Sequence, residues 1–375
     1  MPPASTEFLP EGHTHVLQDP GSGMSFVPIP SSADAAGCRH AGPSHGRLEM
    51  LTVDGAHGEG GGQIIRNAVA LSALTGTPIR IVNIRANRKK PGLFPQHMAA
   101  VRAVACTCGA QTEGLLPGSS LLTFVPEKIS SCSTSVEVGT AGCIPLVIQA
   151  WLTPALDTGG ELRVTGGTEV PLGPTVDYMD RVFLPCLRAS GASIRVEILS
   201  RGYYPAGGGS VVIQIEKKPL SPIHPQEKGD MCVIVSCSSN LPAHVAERQA
   251  VSAGKILEKE TCGHFTVETD IRTGKGTGSS CTIYRGCKGG SSLGHRGLPA
   301  ERVGEAAARE ALSAFQSPGS IDVHLSDQLL LPLALYGGTF SSASLTPHAE
   351  TTLWLLEQFG FSVHVHQDNG VEFSA

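Results

Sequence analysis

The chain has 375 residues with a formal charge of −5, long enough for one large domain or two ordinary ones and too weakly charged for a general polyelectrolyte binder, so any nucleic-acid contact must be local. Eleven cysteines, an odd number with no C-x-x-C pair and with Cys106 and Cys108 closest together, argue against a disulfide framework or a structural zinc site and for a reducing compartment. No apolar run is long enough to span a bilayer and the start lacks the form of a signal peptide; a soluble cytoplasmic protein is expected, or a nucleoplasmic one in a eukaryote.

Residues 1–46 are rich in Pro, Gly, Ser and His without periodicity, and a disordered extension is predicted there. A strand follows over Leu48–Val53, then the glycine-rich stretch Asp54–Gln63, then an apolar helix closed by Gly76. Strand, glycine loop and helix in that order present backbone N–H groups to an anion. Within this stretch stand Glu59 and Arg66. Glu59 reads either as an oxygen ligand for a divalent metal or as an acid at the helix start. After a strand over Ile79–Ile84 comes the most basic loop of the chain, with Arg85, Arg88, Lys89 and Lys90, and a helix from Pro95 to Gly109.

These units recur. The helix from Pro95 has counterparts from Pro174 to Gly191 and from Pro347 to Gly360, and the helix from Gly62 has counterparts at Cys143–Leu156 and Asp327–Leu335. Three copies of a strand–helix–strand–helix–strand unit are predicted around a shared centre. Between the second and third, a strand at Cys232–Ser236, a helix at His244–Glu258, strands near Phe265 and Cys281 and a helix at Ala300–Phe315 read as a small inserted α/β domain. The expected fold class is α/β of the α+β type. The large domain spans residues 47–218 and 318–375, with the insert over 219–317.

Chemistry concentrates at Ser344–Leu353. Thr346 reads as an N-cap and Pro347 as the first helical residue, which puts His348 in the first turn. A histidine there faces unpaired N–H groups and the positive end of the helix. This setting keeps the ring neutral, with one nitrogen available as a nucleophile, and gathers donors for a phosphate. Arg66, Arg85 and Arg88 suit bidentate phosphate binding, and each could equally pair with a structural carboxylate. Gln149 lies on an apolar helix, where its amide needs either a polar ligand or an internal hydrogen bond. Arg201-Gly202-Tyr203-Tyr204-Pro205 reads as RNA contact through charge and stacking, or as a structural turn.

Several long motifs carry a family resemblance. They are Asp54–Arg66 (D-G-x-x-x-E-G-G-G-Q-I-x-R), Ile84–His97 (I-R-A-x-R-x-x-P-G-L-x-P-Q-H), Thr140–Gly142 and Gly166–Thr168. Arg201–Gly209, Gly290–Gly297, Ser326–Leu329 and the His348 segment complete the set. From Leu48 onward the chain resembles RNA 3′-terminal phosphate cyclases. The resemblance implies three repeated lobes with an inserted smaller, thioredoxin-like domain. It also implies ATP and Mg²⁺ or Mn²⁺, and RNA with a 3′-terminal phosphate as partner; the oligomeric state stays open. His348 would attack the α-phosphorus of ATP, releasing pyrophosphate, and the AMP would pass to the RNA 3′-phosphate. The vicinal 2′-hydroxyl would then close a 2′,3′-cyclic phosphate. Gln149, Pro174, His324, Asp327 and Gln328 would contact the adenylate. Arg66, Arg85, Arg88, Gln96 and His97 would contact phosphate or RNA, and Glu59 a metal. His324 stands where the family often has tyrosine, and Gly139 where it often has lysine. A non-catalytic ribosome-assembly relative is the alternative; such relatives lack the histidine, so His348 favours the enzyme. An enolpyruvyl-transferase-like reading shares the repeated lobes but not these motifs.

Overall fold

Apolar residues alternate or recur at helical spacing through most of the chain, and the computed structural model describes residues 49–225, 229, 231–261 and 264–375. The extension expected over residues 1–46 lies outside the described residues. The first sheet is built from β1 (Leu51–Asp54), β2 (Ile79–Val82), β3 (Gln111–Glu113) and β4 (Leu122–Val125), in the order β1-β2-β4-β3. β1 and β2 are parallel and the other pairings antiparallel. Helices α1 (Gly62–Thr75) and α2 (Pro95–Cys108) connect its strands.

The second sheet repeats the order and the directions. It is β5 (Cys132–Glu137), β6 (Gly160–Gly166), β8 (Gly209–Glu216) and β7 (Ser193–Ser200), with β5 and β6 parallel. Its first connection is α3 (Ile144–Thr158). The helix expected over Pro174–Gly191 is broken into α4 (Val176–Tyr178), a π-helical turn at Met179–Phe183 and α5 (Leu184–Ala189). Pro185 has no N–H to give the preceding turn, so regular α-helical bonding cannot run through it.

A third sheet holds β13 (Thr339–Ser342), β15 (Gly370–Ser374) and β14 (His364–Asp368), joined through α9 (Pro347–Gln358) and preceded by α8 (Val323–Tyr336). Ile223 makes a parallel bridge to Gly338, beside β13 in the position that β1 and β5 hold beside β2 and β6. Between Ile223 and α8 the chain builds a fourth sheet from β9 (Cys232–Ser239), β10 (Phe265–Arg272), β11 (Gly278–Arg285) and β12 (Lys288–Leu293). The order is β10-β9-β11-β12, packed with α6 (His244–Thr261) and α7 (Ala300–Gln316). It has its own apolar cluster, including Ile234, Leu257, Ile283 and Phe315. β12 escapes a periodicity reading because Lys-Gly-Gly-Ser-Ser-Leu has no apolar alternation. Among the described residues no helix is long and apolar enough to cross a membrane.

One large core sets the site. Ile65 of α1, Val101 of α2, Trp151 of α3, Leu329 of α8 and Leu355 of α9 bury into a single cluster. Each such side chain contributes roughly 1.5–3 kcal/mol on leaving water. These five helices are thereby fixed against one another with their polar ends free for chemistry. The cysteine reading needs one correction: Cys106, near the end of α2, and Cys132, at the start of β5, form a disulfide with Cα atoms 6.1 Å apart. Spacing along the chain could not show it, because the fold supplies the proximity.

Arg201, only 3 % exposed, joins the second sheet to the fourth. It donates to Glu169 at 2.7 Å, to both oxygens of Asp177 at 2.7 and 2.9 Å, and to Asp270 of β10 at 2.7 Å. Arg272 also donates to Asp270 and, at 2.6 Å, to the carbonyl of Ile198. Burial pushes the Glu169 carboxyl up to about 7 despite the guanidinium beside it. Removing the arginine strands carboxylates in the interior, so Arg201→Ala should cost about 3–5 kcal/mol in denaturant unfolding. The loss should shrink at pH 5, where the freed acids take protons.

Candidate active site

α9 begins as its sequence dictates. Thr346 caps it, its hydroxyl accepting from the Ala349 N–H at 2.9 Å, and Pro347 takes the first helical position. His348 follows in the first turn, half exposed. Its Nδ1 stands 2.6 Å from Oε2 of Glu59, on the loop between β1 and α1. With Nδ1 carrying the proton toward that carboxylate, the neutral ring leaves the Nε2 lone pair outward. Nε2 makes no hydrogen bond to a protein group among the described residues.

The surroundings hold this geometry. Gln63, in the first turn of α1, donates to the carbonyl of His348 at 3.1 Å and also to Thr352 Oγ1. Asn67, one turn on, reaches the same hydroxyl at 3.4 Å. Arg88 approaches Glu59 Oε2 at 3.3 Å, while Oε1 meets no protein donor among the described residues. The N-cap of α1 is Gly61, so Glu59 does not cap that helix. Asp327 of α8 accepts a short hydrogen bond from the Thr346 hydroxyl, tying the cap of α9 to α8.

The three arginines separate by partner. Arg88 pairs with Glu59. Arg66 is half-buried one turn beyond Gln63 and has no carboxylate partner among the described residues; burial pulls it down to about 10. Arg85 sits at φ 54, donates to the Gly92 carbonyl at 3.0 Å and lies 3.8 Å over the Phe94 ring. Burial and the charge of Arg88 lower it as well.

Gln96 turns toward the second sheet, accepting from the Cys143 N–H at 3.2 Å. His97, expected to touch phosphate or RNA, turns inward instead. It is 2 % exposed, and its Nδ1 accepts from the Phe94 N–H at 3.1 Å while Nε2 presses on Gly62, where any Cβ would collide with the ring. Burial and the charges of Arg66 and Arg85 bring it down to about 3, so it stays neutral. Its work is to fasten the starts of α1 and α2 together.

The residues expected around an adenylate come from three segments. Gln149 on α3 donates to Gln328 Oε1 on α8 at 2.6 Å, which answers the amide's need internally, and Gln328 donates to the His324 carbonyl at 3.0 Å. Asp322 caps α8 and receives both the His324 N–H and the Tyr178 hydroxyl. The His324 ring is exposed, 3.8 Å from Glu310. Pro174 lies in the loop before α4, its carbonyl 3.7 Å from Cys143 Sγ. In the Arg201–Pro205 stretch the structural turn prevails, since Arg201 and Tyr203 are both 3 % exposed and only Tyr204 of the two tyrosines faces outward. Gln63 was within a recognised motif but had no expected role; only the fold shows it holding His348.

A family model described as RNA 3′-terminal phosphate cyclase matches residues 57–365, from within the glycine loop to β14. The chain belongs to the RNA 3′-terminal phosphate cyclase family. It is 43% identical over 316 residues to the RNA 3′-terminal phosphate cyclase of Methanococcoides burtonii, covering 83% of this chain and 94% of that one. It is 42% identical over 318 residues to that of Saccharolobus islandicus, with the same coverage. The protein of that name in Thermococcus kodakarensis is 42% identical over 320 residues, covering 83% of this chain and 93% of its own.

Among the described residues no group of three or more His, Cys, Asp or Glu side chains gathers to hold a metal. A single open carboxylate oxygen, Glu59 Oε1, suits a Mg²⁺-like ion that keeps its other ligands on phosphate and water. Asp327 offers a pH test. Burial pushes its carboxyl up to about 6 from an ordinary 3.8, against the lowering effects of the Thr346 hydroxyl and of His348 and His324. The folded chain therefore holds this proton more tightly than the unfolded one. The contribution to stability is present in full below about pH 3.8 and is lost as pH rises through 6. Asp327→Asn should remove that downward step from unfolding free energies measured between pH 4 and 6.

Proposed function

We propose that the protein is an ATP-dependent RNA 3′-terminal phosphate cyclase, and that its α/β segments are three repeated lobes carrying a thioredoxin-like insert. One observation carries the catalytic reading: a first-turn histidine whose Nδ1 is held by Glu59 and whose Nε2 is open, tied through Gln63 to the helix that carries Arg66, an arginine with no carboxylate partner among the described residues. Neutral imidazole is a competent nucleophile toward phosphorus, and a covalent step divides one hard transfer into easier ones.

Nε2 of His348 attacks the α-phosphorus of ATP; an N–P bond forms, the bond to the bridging oxygen breaks, and pyrophosphate leaves. An oxygen of the RNA 3′-phosphate then attacks the same phosphorus and breaks the N–P bond, which returns His348 to its starting form. Last, the vicinal 2′-hydroxyl loses its proton and attacks the terminal phosphorus, expelling AMP and closing the 2′,3′-cyclic phosphate. Throughout, negative charge moves among phosphate oxygens, and fixed cations serve this best. Arg66 and Arg85 take that role, with Arg88 shared between Glu59 and the phosphates. Glu59 Oε1 is the oxygen this chain offers to Mg²⁺ or Mn²⁺, whose part when bound is to neutralise phosphate charge. Gln149, Pro174, His324, Asp327 and Gln328 border the nucleoside.

A non-catalytic assembly factor of the same fold is disfavoured by His348 itself. The test is incubation with Mg²⁺ and α-labelled ATP followed by denaturing electrophoresis. Wild-type protein should take acid-labile, alkali-stable label; His348→Ala should fall to background, and Arg66→Ala should slow labelling about 10²–10³-fold. No label on folded wild type moves the reading to the assembly factor. Equal label on His348→Ala means another nucleophile.

A further inference from the structure

The loop that carries Glu59 is a hydrogen-bonded turn, the Gly60 N–H donating to the His57 carbonyl at 2.8 Å, so it meets α9 as a unit. Three consecutive loop residues meet three α9 residues spaced three apart, in opposite chain directions. Glu59 meets His348 at 2.6 Å. Gly58 lies against Thr351, where a Cβ would stand 2.6 Å from Oγ1. His57 stacks on Trp354, with ring centroids 3.7 Å apart and planes 10° from parallel.

We infer that the His57–Trp354 stack fixes this register, making His57 and Trp354 positioning residues for His348. The inference rests on the cyclase reading only where it predicts rates. A shift of this turn along α9 would carry Glu59 away from the imidazole, and its neighbours Gly58 and Gly60 have no carboxylate to replace it. The turn's own bonds and the donation from Asn87 to the Ala56 carbonyl fix its shape, while the other two contacts with α9 grip weakly. The Glu59–His348 hydrogen bond is partly exposed, where water competes for both partners. Gly58, at φ 55, supplies close fit but no side chain to grip. Thr351 is itself fixed, its hydroxyl donating to the Pro347 carbonyl at 2.8 Å, so it acts as a stop. The stacked rings add apolar burial and a preferred geometry at the end of the run.

The test compares wild type with His57→Ala and His57→Phe; the phenylalanine keeps a ring to stack. At saturating ATP, His57→Ala should adenylylate itself about three- to ten-fold more slowly, with KM for ATP within about two-fold, and His57→Phe should recover the rate. Trp151 is fully buried, so a longer-wavelength shift of tryptophan emission in His57→Ala, absent in His57→Phe, reports on Trp354. ¹⁵N imidazole NMR should show His348 protonated at Nδ1 in wild type, less so in His57→Ala, and restored in His57→Phe. Equal rates and an unchanged His348 tautomer in folded His57→Ala overturn the inference and leave the cyclase reading standing. A wild type that takes no label, yet whose His348 tautomer changes in His57→Ala, overturns the cyclase reading and keeps the register.

Discussion

The junction on which the site depends is the meeting of the first glycine loop with the last long helix. Glu59 and His348 come from opposite ends of the described chain, and nothing local brings them together. The approach is made by α1 and α9, which share one apolar core through Ile65 and Leu355 and a polar seam of Gln63, Asn67 and Thr352. The hydrogen bond between them is partly solvated and contributes little to stability. Its value is geometric, since it selects which imidazole nitrogen faces outward. The core supplies the energy and the seam supplies the aim.

Local chemistry was the part of this arrangement legible in the sequence. Thr346, Pro347 and the glycine after Phe359 mark the ends of α9 through capping and φ preferences that act within a few residues. The same is true of the strand–loop–helix at Leu51–Thr75. Long-range facts were not legible. The partner of His348, the Cys106–Cys132 disulfide and the internal pairing of Gln149 with Gln328 all depend on which surfaces the core brings together. His97 shows the limit most clearly. The family resemblance implied a ligand contact for it, but its ring is used to accept one backbone N–H and to seat against Gly62. A motif shows which residues are near one another, not which way each side chain turns.

The arginines show how one residue type divides between structure and chemistry. Arg201 is surrounded by Glu169, Asp177 and Asp270, and every direction of its guanidinium is answered by a carboxylate. Such a cation has nothing left to offer a ligand, and removing it would strand the acids. Arg66 is the opposite case, a half-buried cation with no carboxylate partner among the described residues and a pKa drawn down to about 10 by burial alone. Keeping such a charge in a partly desolvated site costs stability, and no carboxylate among the described residues offsets it. An incoming anion would. The deficit at Arg66, repeated more weakly at Arg85, lies one helical turn from the residue that holds His348. A phosphate bound there would complete the charge balance that the described residues leave open.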